Sequence, residues 1–194
     1  MKLTSILDDV EQSCIRQYKA DVNFLTLMEC IDENLYVIPE NGRKYRWSKV
    51  QIENLVMSLL YGLPIPPIYT SRNKKNQLEI LDGRQRVMSL FFYYIGYYLN
   101  KQQNNCVSFD KMLMVDETFQ DALLKLPELE ELHLFIRERD KEAICVDYNL
   151  LPPELKNRID HMPITIIEVC VDDEQKKAEV LQKIASNLNP IAVI

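Results

Sequence analysis

Glycine is scarce in this chain. Four of its 194 residues are glycine (Gly42, Gly62, Gly83 and Gly96), where ordinary usage near 7% would supply about fourteen. No G-x-x-x-x-G-K-[ST] or G-x-G-x-x-G segment occurs, so a P-loop and a Rossmann dinucleotide fingerprint are both excluded. Any nucleotide site must be built another way. Histidine is scarcer still, with His133 and His161 alone. The five cysteines (Cys14, Cys30, Cys106, Cys145 and Cys170) are widely spaced and form no C-x-x-C pair. That pattern argues against a zinc site and for reduced thiols in a cytosolic protein. Long apolar runs are also missing: a stretch such as 88–95 falls far short of the roughly 20 residues of a membrane span, and the N-terminus has no signal-peptide core. A soluble, cytoplasmic protein without membrane contact is expected.

Apolar residues make up 47% and charged residues 27%, an ordinary globular mix that supplies a packed core. The length suits one domain spanning 1–194. The formal charge of −6 disfavours a general nucleic-acid surface, but its distribution is uneven. Residues 1–35 carry −4, 36–100 carry +5 and 101–194 carry −7. The basic segment also holds all four glycines, eight of the ten tyrosines and the only tryptophan. This coincidence places a candidate site in a core of about 35–100, with 101–194 as an extension.

Along the chain, Leu3, Ile6, Leu7, Val10 and Cys14 recur at helical spacing behind Thr4 and Ser5, which predicts an amphipathic first helix. Residues 35–38 read as a short extended piece closed by Pro39. Ser48 with Gln51 forms a capping box. Ile52, Leu55, Val56, Leu59 and Leu60 make the buried stripe of that helix, and Gly62 before Pro64, Pro66 and Pro67 marks a left-handed helix end. Residues 68–70 and 77–81 read as two strands around a polar loop. After Asp82 and Gly83, the residues Val87, Leu90, Phe91, Tyr94 and Tyr98 keep helical spacing towards Asn100. The aromatic stripe is expected in the core, with Gly96 inside the helix and without an assignable role. Further helices are expected over 117–126, over 128–139 with Glu128, Glu130 and Glu131 on a solvated face, from Pro152 to about Asp160, and over 173–187. A strand is expected over 164–171. Asp172, Asp173 and Glu174 suit the start of the last helix, whose dipole favours them. The fold class is therefore α+β, with a small mixed sheet, several helices and a helical C-terminal part.

Two stretches concentrate the chemistry. In Ile80-Leu81-Asp82-Gly83-Arg84-Gln85-Arg86 a strand feeds directly into a helix N-terminus, whose unpartnered N–H groups and dipole attract anions. Asp82 is the expected N-cap, and Gly83 would let a ligand approach the backbone. Arg84 and Arg86 add guanidinium charge where the dipole disfavours it, a local cost typical of functional sites. The structural alternative is that both arginines pair with the acidic C-terminal half. The second stretch, 38–47, interleaves Arg43, Lys44 and Arg46 with Tyr45 and Trp47. That arrangement suits a phosphate and a stacked base; an amphipathic turn with Trp47 as a core anchor would look the same.

Three ordered blocks within 35–90 carry a family resemblance. Ile38, Pro39, Arg43, Tyr45 and Trp47 match an I-P-x-Y-Q-R-x-Y-x-W pattern. Residues 58–67 match S-L-L-x-G-x-P-I-P-P, and Asp82-Gly83-Arg84-Gln85-Arg86 matches D-G-Q-Q-R with one glutamine replaced. The sequence resembles the N-terminal domain of GmrSD-type restriction systems, a family distantly related to the ParB and sulfiredoxin nucleotide-binding fold. Asn41-Gly42 stands where the family has tyrosine and glutamine, and Lys183-Ile184-Ala185-Ser186-Asn187 lacks the family's late glycines.

The resemblance implies a ParB/sulfiredoxin-like core in a phage-defence component that binds and hydrolyses a nucleoside triphosphate, GTP or ATP, with magnesium. Carried over by residue, it implies Asp82, Gln85 and Arg86 as catalytic groups, and Arg43, Tyr45, Trp47, Gly83 and Arg84 as nucleotide-binding groups. It also implies DNA or a nuclease-bearing subunit as partner, with oligomerisation compatible. No nuclease centre is evident: Ile159-Asp160-His161-Met162-Pro163 lacks a second histidine and asparagine at suitable spacing, so His161 reads as a helix C-terminal residue. The alternative is a non-enzymatic module that uses the same basic segment to bind DNA or protein.

Overall fold

The computed structural model describes residues 15–38, 45–99, 118–127, 129–136, 143–171 and Lys183. Strand β1 (Ile15–Asn23) runs straight into α1 (Phe24–Asp32), followed by β2 (Tyr36–Val37) and α2 (Lys49–Tyr61). The hairpin β3 (Ile68–Arg72) and β4 (Leu78–Asp82) leads into α3 (Arg84–Ile95), β5 (Tyr97–Leu99) and α4 (Phe119–Leu124). Then come β6 (Leu129–Glu131), β7 (Phe135–Ile136), β8 (Ile144–Cys145), α5 (Pro153–Asp160) and β9 (Pro163–Val171). The class is α+β, as the sequence predicts. Among the described residues no helix is long and apolar enough to cross a membrane.

The main sheet has the order β1-β9-β3-β4-β2. Its β1–β9 and β3–β4 pairs are antiparallel, whereas β3–β9 and β4–β2 are parallel. Alternation along the strands gives the sheet two apolar faces. Ile68, Ile80, Ile164 and Ile166 join the large core with α1, α2 and α3, while Leu81, Val169 and Val171 form a smaller cluster with Tyr69 and Ile167. Helix α3 lies deepest, with eight of its twelve residues buried. Beyond its first turn the helix is apolar nearly all round, as an enclosed segment must be. Phe91 meets Phe119 edge-on at 5.1 Å, and Tyr93 donates to Val146 O at 2.8 Å.

The structure corrects the sequence reading at several points. The helix begun at Arg84 stops at Ile95 instead of continuing past Tyr98. Gly96 is its C-cap at φ +79°, with its N–H on Phe92 O and Tyr93 O, so the glycine left without a role is the one that ends the helix. The stretch 128–139 is not helical where it is described. Leu129–Glu131 pairs with Tyr97–Leu99, and Leu132 N–H goes to Gly96 O. Asp147 supplies the competing acceptor: its carboxylate takes Leu134 N–H at 2.7 Å and lies 2.8 Å from His133 Nδ1. Among the described residues the C-terminal part combines α4 and α5 with short strands and β9. The predicted first helix lies outside the described residues, as does the predicted last one apart from Lys183.

Candidate functional site

The three motif blocks are far apart in sequence, and two side chains in the first turn of α3 join them. Gln85 faces the aromatic loop, where its Oε1 accepts the N–H of Arg46 at 2.7 Å and of Trp47 at 3.3 Å. Arg86 faces the proline segment. One of its terminal nitrogens donates to Pro66 O and to Pro67 O, the latter at 3.2 Å, and the other donates to Asp82 Oδ2 at 3.0 Å. The loop, the proline turn and the strand end thus converge on one helix start.

Gly83, not Asp82, is the N-cap of α3, at φ +91° and with no side-chain cap bond. Asp82 ends β4 and uses its carboxylate on Arg86 instead. Glycine is required at 83 by that left-handed backbone, which costs other L-residues about 1–2 kcal/mol. Packing is tight there as well, since a Cβ would lie 3.2 Å from Ile68 Cγ1 and 3.3 Å from Arg86 Nη2, and those side chains would have to give way. Arg84 turns back along β4, donating from Nε to Ile80 O at 2.9 Å. Arg86 pairs within its own turn rather than with the acidic C-terminal half. Its side chain is only 14% exposed and that of Asp82 20%. Burial pulls the Arg86 pKa below its ordinary value while the Asp82 carboxylate opposes the shift, and the guanidinium remains a cation.

The aromatic loop divides by ring. Tyr45 is a core residue, edge-on to Phe92 at 5.0 Å, with its hydroxyl 2.8 Å from Ser89 Oγ. Ser89 uses its one proton on Gln85 O at 2.8 Å, so Tyr45 is the donor in the Tyr45–Ser89 bond. Burial pushes the Tyr45 pKa above its usual value and keeps that proton in place. Trp47 is half-buried against the same core. Arg46, between the two rings, is exposed. Arg43 lies outside the described residues. The sequence reading counts Arg46 among the basic residues of the loop but nominates the rings and Arg43; the signal for Arg46 is the ring-base-ring alternation, which turns the middle side chain outward once both rings turn in.

A cleft of about 480 Å³ lies at the other end of the proline segment, lined by Pro64 and Ile65 together with Asp21, Arg158 and His161. None of the nominated residues that the structure describes lines it. His161 is the C-cap of α5, as its sequence context predicts, with Nδ1 2.8 Å from Asn157 O. Among the described residues no group of three or more His, Cys, Asp or Glu side chains is arranged to hold a metal ion.

No curated protein and no solved structure matches the chain. The family model described as the N-terminal domain of GmrSD restriction endonuclease matches residues 24–190. The chain belongs to that family, which places it among the components of restriction, or phage-defence, systems.

Proposed function

We propose that the first turn of α3, with the loop 45–47 docked on it, binds the phosphates of a nucleoside triphosphate. The observation that carries this reading is the convergence of all three motif blocks on that turn through Gln85 and Arg86. A helix start offers unpaired N–H groups and the positive end of a dipole. Here acidic residues are absent from the first turn and Arg84 opens it, so the local field favours an anion. On this reading the five-stranded sheet is the ParB/sulfiredoxin-like core that the sequence resemblance implies, and the bound nucleotide is GTP or ATP.

A magnesium ion fits the turn only in the phosphate-borne manner usual for nucleotides. Asp82, just before the N-cap, is the single carboxylate beside the turn; its Oδ2 is paired to Arg86, so Oδ1 is the oxygen that would hold the ion, with phosphates and water supplying the other ligands. The ion would neutralise phosphate charge during hydrolysis. The chain's own contribution is to hold the phosphates against the turn and to orient water or the metal through Asp82.

Titration calorimetry of the full chain with ATP and with GTP in magnesium buffer tests the reading. Binding is expected, weakened about tenfold by Arg84→Ala, the amount one charge-assisted hydrogen bond contributes. Wild-type protein that takes up neither nucleotide at millimolar concentration would remove it.

A further inference from the structure

We infer that Arg46 contacts the phosphates at this site beside Arg84, that Arg86 does not, and that Gln85 is the positioning residue that delivers Arg46. The inference rests on the nucleotide-binding reading and adds a residue to it. Arg86 is already committed: two carbonyls and a carboxylate take three of its five N–H groups, and its charge is balanced by Asp82. Turning it towards a ligand would break that ion pair and leave the Pro66 and Pro67 carbonyls without their donor. Each loss opposes binding.

Arg46 has the opposite character. Its side chain is exposed and makes no hydrogen bond or ion pair with the described residues, yet its backbone N–H is fixed at 2.7 Å from Gln85 Oε1. The base of an uncommitted guanidinium is thereby held one side-chain length from the first turn of α3. Arginine is suited to this position because its planar fork takes two phosphate oxygens at once. The choice of glutamine at 85 follows from the same geometry. A carboxylate there would accept the Arg46 and Trp47 N–H groups equally well and would suit the helix dipole, but it would repel a phosphate. The amide accepts both N–H groups without charge.

Trp47 is the only tryptophan in the chain and directly follows Arg46, so its emission reports whether the loop is docked. Nucleotide affinity by calorimetry and Trp47 emission without ligand are to be measured together. Arg46→Ala is expected to lose about tenfold in affinity with unchanged emission, and Arg46→Lys to recover part of the loss. Gln85→Leu is expected to shift the emission to longer wavelength in the absence of nucleotide and to weaken binding. Gln85→Glu keeps the acceptor, so the emission should stay as in wild type while affinity falls. Wild-type affinity in Arg46→Ala would overturn the inference and leave the nucleotide reading intact. An emission shift in Arg46→Ala like that of Gln85→Leu would overturn it too, since the role would then be structural. If the wild type binds neither ATP nor GTP, both fall.

Discussion

At the start of α2, Ser48 and Gln51 close the helix on itself: Gln51 Oε1 accepts the Ser48 N–H at 2.9 Å, and the Gln51 N–H returns to Ser48 O at 3.0 Å. At the start of α3 a glutamine is again present in the first turn, but it stands one position earlier and its oxygen serves a loop 38 and 39 residues away. No side chain caps this second helix, and its first turn carries two arginines. One helix start satisfies itself with local partners and presents nothing to a ligand. The other is supported from outside, by a loop and a proline turn, and carries no acidic residue within its first turn. The difference shows how one chain can make one helix start a joint and another a site.

Three substitutions would break or sharpen that contrast. Arg86→Met should have the largest effect, a loss of about 3 kcal/mol in urea unfolding, because it leaves the mostly buried Asp82 carboxylate without its partner and unties the proline turn. A loss below about 1 kcal/mol would mean that α3 does not depend on this outside support. Gly83→Ala comes next. The left-handed backbone and the close approach of Ile68 should together cost about 2 kcal/mol, read as a lowered melting temperature. Smallest is Ser48→Ala at the self-closed start, where about 1 kcal/mol of capping is at stake and nucleotide affinity should stay at the wild-type value. A change in affinity there would show that the two helix starts are not separate in function.

Much of the scaffold near the site was legible from local pattern. Ser48 with Gln51 marked the start of α2, Gly62 its left-handed end at φ +68°, and the strands around 72–76 were placed within a residue or two. These features depend on backbone geometry over a few residues, which sequence spacing reports directly. The first strand was illegible for the opposite reason. Eight of the nine residues of β1 are exposed, so no period of burial marks it, and only its pairing with β9 makes it a strand. Helix α1 then follows from Asn23, which offers no side-chain cap bond. The stretch after 128 misled because Leu and Glu favour helix locally, while Gly96 O and the Asp147 carboxylate, both distant in sequence, capture its N–H groups.

The site divides along the same line. By itself the sequence determined that a strand would run into a helix at Gly83, that this turn would be cationic, and that an aromatic, basic loop and a proline turn would accompany it. Only the tertiary structure decided which arginine is held inside and which is left outside, and which of Asp82 and Gly83 caps the helix. The physical reason is that a side chain's partner is chosen among groups brought together by folding. Arg86 meets the proline turn 19 and 20 residues back, and Gln85 meets Arg46 at 39; neither separation follows any local period, so the roles of those residues were settled when the blocks came into contact.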